Sequence, residues 1–103
     1  MTDEMEGLEE ITEIETHEEW ALRRKREAMK VSRPQAVHAL RQAGLIPAIE
    51  AYMGAASDLE RDAWENAVIF SRLSPLVQSM AAALGISDAQ LDMLFEAAAQ
   101  VAI

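Results

Sequence analysis

Two histidines, His17 and His38, and two aspartate pairs one helical turn apart, Asp58 with Asp62 and Asp88 with Asp92, are the residues whose types and spacing bear most directly on chemistry. A histidine beside a carboxylate or a second ligand at helical spacing holds a metal or moves a proton. Neither histidine has a carboxylate or second ligand at metal spacing that rises above chance: they lie on different segments, and His38, between Val37 and Ala39, reads as a helix surface or boundary residue. The aspartate pairs would hold a cation only weakly. Each stands near an expected helix N-terminus, where interaction with the macrodipole accounts for it. The chain has no cysteine, which excludes a thiolate nucleophile, a disulfide and Cys-ligated zinc. There is also no glycine-rich phosphate loop and no nucleophile elbow. The expectation is a protein that is not an enzyme, with no catalytic, metal-binding or cofactor-binding residues and no cofactor.

Charge is segregated along the chain. Up to residue 22 there are nine acids and no Lys or Arg; then Arg23, Arg24, Lys25, Arg26, Lys30 and Arg33 face the single Glu27, and the remainder is mildly acidic. A net charge of −9 sets the whole molecule against the phosphate backbone, so broad nucleic-acid binding is not expected. The basic run of Arg23, Arg24 and Arg26 fits a polyanion, but pairing with the acidic arm or with an acidic partner surface fits it equally well. Residues 80–95, MAAALGISDAQLDMLF, read like a helix-turn-helix with Gly85 at the turn. A recognition helix there would present Asp88, Gln90, Asp92 and Glu96 to DNA, with no Lys or Arg for phosphates or guanine edges, so the plain helix–Gly–helix corner is the better reading.

The elements that would position these residues are helices. At 103 residues the chain supports one domain with one modest core, and its apolar half is mostly Ala, Leu, Ile, Val and Met with few aromatics. Thr16 with Glu19, Ser32 with Gln35, Ser57 with Glu60 and Ser87 with Gln90 each place a hydroxyl three residues before Glu or Gln, the spacing of a capping box. Ser74 before Pro75, and Pro47 after Ile46, mark two more starts, while Gly44 and Gly85 sit where a left-handed residue ends a helix and Gly54 ends or weakens the third. Helices are predicted at 16–30, 33–43, 47–56, 58–73, 75–84 and 88–102. The fold class is all-α, a small compact bundle of five to six short helices with an N-terminal acidic arm, divided as 1–15 (arm, flexible or partner-docked) and 16–103 (helical domain). Trp64, Phe70, Leu76, Met80, Leu84, Leu91, Leu94 and Phe95 are the expected core. No apolar stretch is long enough to cross a bilayer, and the first residues are acidic where a secretory signal would be basic, so no membrane association is expected.

In the arm, Met5, Leu8, Ile11, Ile14, His17 and Trp20 recur every three residues, a period that drifts around an α-helix instead of holding one face. Read blandly it is a solvated acidic tail. Its regular large apolar residues also suit a docking arm, which makes Leu8, Ile11, Ile14 and Trp20, with Arg23, Arg24 and Arg26, the candidate partner-binding residues.

Three segments, VSRPQAVHALRQAGL, WENAVIFSRLSPLV and AAALGISDAQLDMLFEAAAQVAI, resemble a family of small helical proteins encoded among the tail and tail-fibre genes of tailed bacteriophages and prophages. The resemblance spans 31–103 and rests on Arg33, Leu40, Gly44, Trp64, Phe70, the run from Arg72 to Leu76, and Leu84, Gly85, Ser87, Gln90, Asp92, Leu94 and Phe95. It implies a phage structural or assembly protein acting by protein–protein contacts, located in the virion after assembly in the host cytoplasm. Other phage structural proteins, or copies of itself in a homo-oligomer or symmetric assembly, would be its partners. No activity and no catalytic residue carry over, and the acidic arm lies outside the pattern. The alternative is a small acidic regulatory or inhibitory protein that occupies a basic surface of a host or phage protein.

Overall fold

Hydroxyl side chains start five of the helices, and they do so at the positions the spacing predicts. The computed structural model describes residues 16–102. Thr16, Ser32, Ser57, Ser74 and Ser87 all take extended backbone and accept from the N–H three residues on, opening α1 (His17–Glu27), α2 (Arg33–Gln42), α4 (Asp58–Asn66), α5 (Pro75–Leu84) and α6 (Asp88–Ala99). At Thr16, Ser32 and Ser87 the Glu or Gln side chain returns the bond to the cap's own N–H. At Ser57 it does not, because the Glu60 carboxylate accepts instead from the Ser57 hydroxyl at 3.3 Å and from the Tyr52 hydroxyl. The remaining helix, α3 (Ile46–Ala55), has no side-chain cap and begins with Pro47 in its first turn. Gly44 (φ 74°) and Gly85 (φ 69°) turn the chain in the left-handed region after α2 and α5.

Two of the predicted helices are shorter than their apolar periods suggest. The expected 16–30 helix ends at Glu27, and the expected 58–73 helix ends at Asn66, whose side-chain amide donates to the Asp62 carbonyl at 2.8 Å as Ala67 turns extended. The residues released form a small antiparallel pair, β1 (Lys30–Ser32) with β2 (Ile69–Ser71), in register Val31 opposite Phe70. Arg33 N–H to the Val68 carbonyl at 2.9 Å and Arg72 N–H to the Met29 carbonyl at 3.0 Å continue the ladder past both ends. Val68, Ile69 and Phe70 favour this geometry, since β-branched and aromatic side chains lose less freedom on a pleated surface than in a helix. The molecule is otherwise all-α, with six helices among the described residues.

Val31 and Phe70 point from the pair into a core closed by Ala39 of α2, Val77 and Ala81 of α5, and Leu91, Phe95 and Ala98 of α6. A second cluster, Ile49 and Met53 of α3 with Met80 of α5, lies beside it, and Trp64 and Leu76 pack against both. A cavity of about 70 Å³, apolar on nearly every side, is lined by residues of both clusters. Of the expected core, Phe70, Met80, Leu91 and Phe95 are buried, while Trp64, Leu76, Leu84 and Leu94 are half-buried around them. Arg33 fastens the start of α2 to the end of α4: its guanidinium lies 4.9 Å from the Trp64 ring centre and donates to the Trp64 carbonyl.

Candidate interaction surface

The principal polar feature of the described residues is a charged cluster where α1 meets α6. Arg72, immediately after β2, is only 1% exposed, and its Nε donates to Asp92 Oδ1 at 2.8 Å while Nη2 reaches Asp88 Oδ1 at 3.2 Å. The Gln78 amide donates to the Arg72 carbonyl at 2.8 Å. From the other side Arg26 of α1 grips the same Asp92 in a fork, Nε at 3.0 Å and Nη2 at 2.8 Å. Hydrogen bonding from Arg26 is the main reason the Asp92 carboxyl is held below the usual carboxylate range; burial opposes it, and Arg72 adds to it. The same contact raises Arg26, against the cost of partial burial.

This cluster revises two expectations. Arg26 does not belong to the outward-facing basic run, because Asp92 of its own chain engages it; Lys25 likewise reaches Glu96 of α6 at 3.4 Å. Arg23 and Arg24 pair with Glu27 inside α1. Asp92 is not displayed by α6 for any ligand but is turned against two arginines, so the acidic face expected there is narrower than its sequence suggests.

The anchoring of α1 is wholly polar, since none of its residues is buried. Lys25 and Arg26 turn towards α6, while His17 stacks on Trp20 at 5.8 Å and the Arg24 guanidinium lies 5.9 Å from the Trp20 ring centre. Trp20 stays 45% and Leu22 40% exposed. Of the candidate docking residues, Trp20, Arg23 and Arg24 are thus brought together on α1, Arg26 is withdrawn, and Leu8, Ile11 and Ile14 lie outside the described residues. Further exposed apolar residues are Val68, Ile69 and Leu73 around β2, Leu59 on α4, and Met93 on α6, where Met93 borders a shallow groove with Gln42, Ala43, Gln90 and Ala97. Sequence periodicity gave no sign of β2's exposed edge, because the segment reads as helix.

His17 and His38 are exposed on separate helices, and among the described residues no three His, Asp or Glu side chains gather at metal-binding distance. No buried side-chain polar atom lacks a partner among the described residues. Nor is any described helix long and apolar enough to cross a membrane.

Searches with this chain find no matching family model, curated protein or solved structure. The residues behind the phage-protein resemblance are nonetheless architectural in this fold: Ser87 and Gln90 form a capping box, Gly44 and Gly85 end helices, Trp64, Phe70 and Phe95 pack the core, and Arg72 with Asp92 builds the buried cluster.

Proposed function

We propose that this chain is a non-catalytic assembly protein that acts through protein–protein contacts, with α1 and the acidic segment before it as the docking element. The carrying observation is that α1 buries none of its residues in its own body while holding Trp20 and Leu22 in solvent. An isolated helix of 11 residues is marginal in water, and most helical stability comes from packing an apolar face against something else. A partner supplies that surface. Trp20 is the type of residue that anchors interfaces, and the charges around it supply the polar rim.

The partner class follows from the resemblance to small helical proteins of tailed phages: a structural or assembly component of the particle, in contact with other phage proteins, is the reading it supports. Particles purified after replacing Leu8, Ile11 and Ile14 together by Ser, or Trp20 by Ala, test it. The expected result is a stoichiometric band from the natural chain and a depleted one from each variant, with the helical spectrum retained. Equal incorporation of natural and variant chains would overturn the docking role, and absence of the natural chain from particles would favour an acidic binding protein that acts on a basic surface elsewhere.

A further inference from the structure

We propose that the apolar cavity where the two core clusters meet is a binding site for one small, uncharged apolar molecule, of the size of a xenon atom or a light hydrocarbon such as cyclopropane. The proposal goes beyond the docking role of α1 and uses none of its residues. Small side chains create the space: Ala36 and Ala39 of α2, Ala81 of α5 and Ala98 of α6 all border it, and each contributes a single methyl group. Trp64, Phe70 and Phe95 border it too, but their flat, rigid rings cannot bend to fill it. Met80 is flexible enough to do so, yet it is buried against Ile49 and Met53 in the second cluster.

The wall decides what the cavity admits. A water molecule needs about two to four polar partners. Among the described residues no charged side chain, hydroxyl or amide lines the space, and no buried side-chain polar atom lacks a partner. Water therefore gains nothing by entering, and an ionised ligand would shed its hydration with no cation or donor to replace it. An apolar cavity of about 150 Å³ stays dry and takes benzene or xenon. At about 70 Å³ the space here is about half as large, which sets the size class at xenon or cyclopropane. Ala39, Ile86 and Leu94 border both this cavity and the groove beside Met93, so the way in runs past the α5–α6 corner, where Ile86 and Leu94 are only half-buried. Once inside, the molecule touches Ile49 and Met80 of one cluster and Val77 and Leu91 of the other, and so ties α3 to the rest of the body.

Methyl spectra of the full-length chain under rising xenon pressure test the site. The methyl resonances of Val77, Met80 and Leu91 should shift and saturate together, whereas those of Val68 and Leu59, which face solvent, should not. Cyclopropane should raise the melting temperature with its concentration, and acetate at equal concentration should not. Val77→Ile and Ala81→Val each place extra carbon in the space and should weaken xenon binding about tenfold or more with the helical spectrum kept. If overpacking unfolds one of these variants, the other still decides. The proposal is overturned by the absence of a saturable shift in the natural chain, by equal shifts at Val68 and Leu59, by undiminished xenon binding in a folded variant, or by an ordered water detected beside the Val77 and Leu91 methyl groups.

Discussion

Asp92 accepts from two guanidiniums, and the two are unequal. Arg72 is buried and Arg26 keeps one side in solvent, so removing the carboxylate strands a buried cation while removing Arg26 leaves the inner pair intact. Asp92→Ala is expected to lower stability by about 3 kcal/mol, near the low end for an orphaned buried charge because Asp88 still reaches Arg72. Arg26→Met should cost about 1 kcal/mol or less, the scale of a partly exposed pair. Urea unfolding of both variants checks the order, and equal losses would mean that Arg72 does not depend on Asp92. The pH dependence follows from the lowered carboxyl of Asp92. Since the folded state holds fewer protons there than the unfolded one, the contribution is present above the ordinary carboxylate range and lost as pH falls through and below it. The natural chain should therefore lose more stability on acidification than Asp92→Asn does. Tyr52 runs the other way: its hydrogen bond to Glu60, helped by burial and by the carboxylate's charge, raises its pKa. That contribution is present below the ordinary tyrosine range and fades as pH rises beyond it, a fall that Tyr52→Phe should abolish in alkaline melts.

At the scale of elements, α6 closes the core with Leu91, Phe95 and Ala98, and the Gln35 amide pins its end by donating to the Val101 carbonyl at 3.2 Å. Phe95→Ala should cost about 3 to 5 kcal/mol, most of the stability of a domain this size, with loss of the helical spectrum at moderate temperature as the readout. Val77→Ile instead adds a methyl group towards the apolar cavity and should gain about 0.5 kcal/mol or more if the cavity admits it, visible as a higher melting temperature. The helix starts and the residues of α5 and α6 were legible in the sequence because caps and apolar stripes are local signals. The β pair was not. Three residues per strand are too few to show alternation, and Trp64, Ala67 and Phe70 fall at spacings that also suit a helix, so only the ladder from Met29 to Arg33 decides between them. Arg72 with Asp92 was equally hidden: an Arg and an Asp 20 positions apart carry no mark of being buried together.

The molecule as a whole divides its charge unevenly along the chain. A net charge of −9 disfavours approach to a phosphate backbone, and several basic residues are engaged within the chain: Arg72 is buried, Arg26 and Lys25 are tied to α6, and Arg33 lies over Trp64. The α5–Gly85–α6 corner copies the spacing of a helix-turn-helix, yet α6 offers Asp88 in its first turn, holds Asp92 against arginines, and exposes Gln90 and Met93 beyond them. Gln90 has adenine-reading chemistry there, and its side-chain oxygen accepts from the Ser87 N–H at 2.9 Å to close the cap. Phosphate contacts position a reading helix before base contacts specify anything, and α6 carries no Lys or Arg to make them. The expected outcome is no retention of a labelled duplex at physiological salt and no gain from lowering the salt. Retention that falls steeply with salt would point to the basic end of α1 as a phosphate-binding site, and retention abolished by Gln90→Ala with the fold intact would restore the corner as a DNA reader.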